Sequence, residues 1–262
     1  MSKFYSLFSS SQGNASFLGS TRGGLLIDVG VSCKKICQRL TTLEVPLQAV
    51  RAVLITHSHT DHVSGLRVFL QQHPVPVYTT AETWAAIEHE MPSTCTPSWI
   101  EPNQTYAVDA FSVTPFSTPH DAQGSVGFRI VTPDDRICAI CTDLGHVTPE
   151  VTAGITGADL VLLESNYDPG MLKNGTYPPH LKRRIAGDYG HLSNLQSAEC
   201  AVSLVQHGTT RLVLGHLSPH NNTPDLCRNA SDFAMQEAGL VENQDFVRRI
   251  AGPDGLSQAV IF

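Results

Sequence analysis

No uninterrupted apolar run in the 262-residue chain approaches the ~18 residues of a membrane-spanning helix, so no such helix and no membrane partner are expected. Charged residues are scarce, at 16%, while hydrophobic residues reach 41%, which excludes a disordered chain and a coiled coil. Basic residues are outnumbered: 17 Lys and Arg stand against 24 Asp and Glu, a net charge of −7. That balance argues against a broad cationic coat for nucleic acid and leaves room for a local basic patch. Internal repeats, low-complexity tracts and linkers are all missing, so residues 1–262 read as one domain. Met1–Phe8 has one Lys and an apolar run too short for a secretory apolar region. The seven cysteines are odd in number and sit in apolar or helical patterns, which implies free thiols in a reducing cytoplasm.

Histidine is what the chain has in quantity, with 12 residues, several close to Asp. The N-terminal half reads as short strands: Lys3–Phe8, Ala15–Gly19, Leu25–Val29 and Arg51–Thr56. Ser32 opens a helix to about Leu40, with Cys33, Ile36, Cys37 and Leu40 on one face. Asp61–Gln72 reads as one helix, and a further helix follows the potential cap Thr80. Strands at Val75–Thr79, Ala110–Pro115, Ser125–Val131, Arg136–Cys141, Leu160–Glu164 and Arg211–Gly215 follow, with amphipathic helices at Ser193–Gln206 and Thr223–Ala238. Two such β–α runs predict an α+β fold with two facing sheets and helices outside. Residues 167–190, rich in Pro and Gly, read as a loop-rich insertion.

The chemistry concentrates in Thr56-His57-Ser58-His59-Thr60-Asp61-His62. Four ligand-type side chains fall within six residues, directly after an apolar strand. Residues two apart share a face of extended chain, so His57 and His59 can point together, while Asp61 and His62 turn toward a neighbouring position. That arrangement suits two metals better than one. Asp28, His120, Asp143 and His216 also stand at the ends of short apolar segments. Cys138 and Cys141 lie on one strand with opposite faces and are read as core thiols.

HxHxDH after a strand resembles the signature of the metallo-β-lactamase superfamily, and the similarity runs over about residues 4 to 220. The resemblance implies a four-layer αββα sandwich. It implies two divalent cations (zinc, manganese or iron), with His57, His59 and His120 at one, Asp61, His62 and His216 at the other, and Asp143 bridging. Asp28 is implied as the orienter of the histidine loop. The segments Ser11-Gln12-Gly13-Asn14, Glu164-Ser165-Asn166, Tyr177-Pro178 and Gly190-His191-Leu192-Ser193-Asn194 are similar to the YycJ/WalJ group of DNA exonucleases, which is related to the RNase Z and PhnP phosphodiesterases. The chain departs from that group in reading Asn166-Tyr167-Asp168 for Asn-His-Asp, and in Ser10, where Gly is common.

The resemblance implies a dinuclear metal-dependent phosphodiesterase, a 5′→3′ exonuclease on DNA, with His191 as general acid and Asp61 among the catalytic residues. Asn14, Asn166, Tyr189 and the basic run Lys182-Arg183-Arg184 are candidate substrate contacts; the alternative for the basic run is a solvated helix face. Two other readings stay open. One is a small-molecule hydrolase acting on a cyclic phosphodiester, lactone or thioester. The other is a metal-binding scaffold without turnover.

Overall fold

The computed structural model describes residues 1–262. One sheet contains β1 (Lys3–Ser10), β2 (Gly13–Ser20), β3 (Gly23–Ile27), β4 (Val50–Leu54), β5 (Val77–Thr79) and β6 (Ser98–Trp99). The other contains β7 (Tyr106–Val108), β8 (Phe111–Ser117), β9 (Val126–Val131), β10 (Ile137–Cys141), β11 (Leu160–Glu164), β12 (Arg211–Gly215) and β13 (Val247–Ile250). A last strand, β14 (Val260–Ile261), returns to the first sheet and pairs with β1. Both sheets have seven strands, ordered β14-β1-β2-β3-β4-β5-β6 and β13-β12-β11-β10-β9-β8-β7.

Period-2 alternation sorts the strand residues into separate apolar layers. In β3, Leu25 and Ile27 join the layer between the sheets, while Leu26 joins the outer one. In β11, Leu160 and Leu162 face inward, and Val161 and Leu163 face outward. The first sheet's outer layer is covered by α1 (Cys33–Thr42), α2 (Thr60–Val63), α3 (Leu66–Gln72) and α4 (Ala81–Ile87), through residues such as Ile36, Val63, Phe69 and Trp84. The second sheet's outer layer is covered by α5 (Pro149–Ile155), α8 (Asn194–Gln206) and α9 (Pro224–Glu237), with Val151, Ala201 and Cys227 packed inward. The layers are therefore αββα, as expected. Between α5 and α8 lie α6 (Pro169–Asn174) and α7 (Pro179–Ile185). No helix is long and apolar enough to cross a membrane.

The stretch 61–72, expected as one helix, is two. The chain breaks at Ser64-Gly65, where Gly65 donates to the Val29 carbonyl at 2.9 Å and a Cβ would lie 2.0 Å from the Val31 oxygen. Val29 in turn donates to the His62 carbonyl at 2.8 Å. A continuous helix could not bring the histidine turn this close to the end of β3. The 167–190 segment is also more ordered than expected: it carries α6 and α7, each opened by a proline at its start. Ser32 precedes α1 but makes no side-chain cap, whereas Ser193 and Gln196 form a full capping box on α8.

Candidate metal centre

Three site residues leave their strands by the same device. Asp28 follows β3, Asp143 follows β10 and His216 follows β12, and their φ angles are 60°, 62° and 57°. Left-handed backbone is costly for residues with a Cβ and is found where side-chain direction matters. Here it marks residues turned off the strand ends at one rim of the sandwich.

His57, His59 and His120 bring one nitrogen each within 4.8 Å of one another, a spacing that could hold a metal ion. Asp61, His62 and His216 form a second such group. Asp143 stands between them: one carboxylate oxygen is 3.2 Å from His216 Nε2 and 3.7 Å from His120 Nε2, and the other is 3.2 Å from His62 Nε2. All seven residues from the sequence thus meet at one rim. His146 and His220 take part in neither group.

The donor set fits divalent cations. The second nitrogen of several rings is already bound to an oxygen, which fixes the tautomer and leaves the other lone pair for a metal. His62 Nδ1 donates to Asp28 Oδ2 at 2.8 Å, His216 Nδ1 to Asn14 Oδ1 at 3.1 Å, and His120 Nδ1 to the Gly190 carbonyl at 3.1 Å. Buried polar atoms without a partner are rare in folded proteins. Here His57 Nε2, His216 Nε2 and Asp143 Oδ2 are such atoms, clustered together.

The electrostatics agree with this fit. Burial, reinforced by His62, holds the His57 imidazole well below its usual pKa, and burial also lowers His59 and His120. Burial opposes the charge on Asp143, but His216, His62 and His57 outweigh it and keep the carboxyl well below its normal range. His62 is the exception among the rings: burial disfavours its protonation, yet Asp143 and Asp28 raise it well above the usual value.

Asp28 ties the strand end before the histidine turn to His62. Besides His62 it receives the Thr56 N–H and the Thr56 hydroxyl, both at 2.9 Å. His191 lines the cleft with Asp61, Asn166, Tyr177 and Arg184. Its Nδ1 donates to Glu164 Oε1 at 3.0 Å. Burial works against a charged His191, but the Glu164 carboxylate dominates and pushes it up to about 9. Glu164 is fully buried and also receives the backbone N–H groups of Asp143, Leu144 and Leu192. Its oxygens are occupied, so Glu164 positions other groups and is a poor metal donor itself. Glu164 was legible only as part of a motif; the signal for its role is a carboxylate closing an otherwise apolar strand.

The candidate substrate contacts have unlike surroundings: Asn166 and Arg184 line the cleft, and Asn14, Lys182 and Arg183 do not. Asn14 is buried behind the histidines, its amide donating to the Ser10 carbonyl and its oxygen serving His216. Asn166 lines the cleft, but its amide donates to the His216 carbonyl at 2.9 Å. The basic run does not act as a unit. Lys182 Nζ donates to the carbonyls of Lys173 and Gly175, tying α7 to α6, and Arg183 is exposed away from the cleft lining. Arg184 alone of the three lines the cleft, where it pairs with Asp121. Asp121, which the sequence reading missed, also lies 3.6 Å from His59 Nε2 and 3.5 Å from His120 Nε2. It directly follows His120 in the chain, the one cue to its presence.

Residues 10–216 match the metallo-beta-lactamase superfamily. The chain is 31% identical over 256 residues to the exodeoxyribonuclease WalJ of Streptococcus pneumoniae, covering 96% of this chain and 95% of that one. It is 32% identical over 245 residues to the exodeoxyribonuclease YycJ of Bacillus anthracis, covering 93% and 92%. The solved structure of zinc-bound PqqB from Methylobacterium extorquens is similar in fold, with a TM-score of 0.73 at 19% identity over the whole of both chains. Sequence match, shared layers and the rim of histidines and aspartates agree: the chain belongs to the metallo-β-lactamase superfamily, in the group of the WalJ and YycJ proteins.

Proposed function

We propose that this protein is a dinuclear metal-dependent phosphodiesterase that degrades DNA from the 5′ end. The observation that carries the reading is Asp143, set between two ligand-type groups and beside the His191–Glu164 pair. The full-length likeness to proteins named exodeoxyribonucleases supports DNA as the substrate.

His57, His59 and His120 would hold one cation and Asp61, His62 and His216 the other, with Asp143 shared. Imidazole and carboxylate donors accept zinc, manganese or iron. Cations held there would supply an acidified water for attack and offset negative charge on the phosphate. The chain's own residues do the rest. Asp28 and Asn14 hold His62 and His216 in their binding tautomers. Glu164 keeps His191 protonated, and His191 passes that proton to the sugar oxygen as its bond to phosphorus breaks. Arg184 grips a phosphate oxygen at the mouth of the cleft, exchanging part of its pairing with Asp121 for the substrate. Tyr189, 64% exposed beside Gly190, offers a face on which a terminal base can stack. We place this activity in a reducing cytoplasm.

The test is incubation of zinc-, manganese- or iron-loaded protein with 5′-phosphorylated duplex DNA, alongside a cyclic phosphodiester, a lactone and a thioester. Mononucleotide release from the 5′ end is expected. Turnover of the lactone or thioester alone would replace this reading with the small-molecule one, and turnover of nothing would favour a scaffold.

A further inference from the structure

A second cluster of metal-binding side chains lies on the outer face of the first sheet, unconnected to the rim. Cys33 and Cys37 are four apart on α1 and share one side of it. Their sulfurs are 3.8 Å apart. His73, at the end of α3, places Nε2 3.7 Å from Cys37 Sγ, and the neighbouring Gln72 places Oε1 3.5 Å from Cys33 Sγ. The sulfurs and the imidazole nitrogen all lie within 4.8 Å of one another.

The spacing matches a known coordination figure. With Zn–S near 2.3 Å and Zn–N near 2.0 Å, the edges of a tetrahedron are about 3.8 Å for S···S and about 3.5 Å for S···N. Sulfurs packed in a core can also sit this far apart. Beyond packing, each sulfur meets a polar atom from the next segment, Gln72 Oε1 at Cys33 and His73 Nε2 at Cys37, so four potential donors gather at one place. Cys33, Cys37 and Gln72 line one surface groove, which gives an ion access.

We propose that Cys33, Cys37 and His73 form a separate metal centre for one zinc ion, with the Gln72 carboxamide beside the fourth position. The ion clamps α1 to α3. α1 follows the loop that carries Asp28, and α3 follows α2, which carries Asp61 and His62, so the clamp braces the rim from behind.

The test is a cobalt(II) titration of the reduced full-length chain, because a thiolate bound to cobalt gives a charge-transfer absorption that imidazole and carboxylate ligands do not. Wild-type protein should show this absorption and bind one equivalent more than the Cys37→Ser variant, in which the absorption is lost. Asp143→Asn should retain it, which separates this site from the rim. His73→Ala provides an independent variant at a half-buried position. Absence of the absorption in folded wild-type protein, or its persistence in Cys37→Ser, would overturn the proposal. So would a Cys33–Cys37 disulfide in protein purified under reducing conditions.

Discussion

Glu164 Oε1 accepts a hydrogen bond from His191 Nδ1 at 3.0 Å, and the carboxylate making it is fully buried. The pair explains how an imidazole in a cationic neighbourhood can hold a proton for a leaving group. His191→Ala is expected to lower kcat by about 10²–10⁴-fold on DNA, the usual range for a lost general acid. A p-nitrophenyl phosphodiester, whose leaving group needs no proton, should lose far less. Equal losses on both substrates would remove His191 from the proton transfer.

The same pair sets a pH dependence. The Glu164 carboxylate raises His191, and in the proposed mechanism its acid form is the active one, so activity is expected to fall as pH rises past the point where His191 loses its proton. Glu164→Gln removes the charge that raises it. The alkaline limb of the kcat profile is then expected to move toward the unperturbed imidazole value of about 6.5. A profile that does not move in a folded variant would show that the proton comes from elsewhere.

Asp143→Asn removes the charge shared by both groups while keeping the side chain's shape. The variant is expected to fold, to lose at least one equivalent of rim metal and to lose most of its turnover, because both proposed metal groups share this carboxylate. Metal analysis beside an activity assay checks this, and unaltered metal content would refute it.

Metal removal should destabilise the chain. Without cations, His57 Nε2, His216 Nε2 and Asp143 Oδ2 are left buried and unpaired. Ions that bind only the folded state add stability by mass action, about 4 kcal/mol at a thousandfold excess over Kd. A chelator should therefore lower Tm and added metal restore it, in thermal denaturation followed by circular dichroism. Identical melting curves would contradict the assignment.

The basic run divides into separate tasks. Arg184→Ala is expected to raise KM for 5′-phosphorylated DNA about tenfold, the loss of one charge-assisted contact, with kcat little changed. Lys182→Ala should leave KM alone and cost about 1 kcal/mol of stability through its lost carbonyl contacts. Arg183→Ala should do neither. If all three raised KM equally, the run would be a phosphate-binding face after all.

The sequence announces some of this and hides the rest for definable reasons. His57, His59, Asp61 and His62 are adjacent, and Asp143 and His216 each close a strongly apolar strand, so local pattern exposes them. The sheets are legible because their alternation is local too. Asn14 is different: its partner His216 lies 202 positions away, and only the packed fold turns an apparent loop residue into its orienter. Strand β13 was missed because Val247–Ile250 contains two arginines. Arg248 is nevertheless buried there, its guanidinium held by Asp232 and Glu242. The break between α2 and α3 depends on a backbone contact with Val29, which helical periodicity does not encode.

Anomalous X-ray diffraction from the metal-loaded protein tests the centre most directly. Two peaks are expected at the rim, one among His57, His59 and His120, the other among Asp61, His62 and His216, with Asp143 reaching both. One peak alone at the rim, or ions bound away from Asp143, would contradict the paired-cation account of this protein's chemistry.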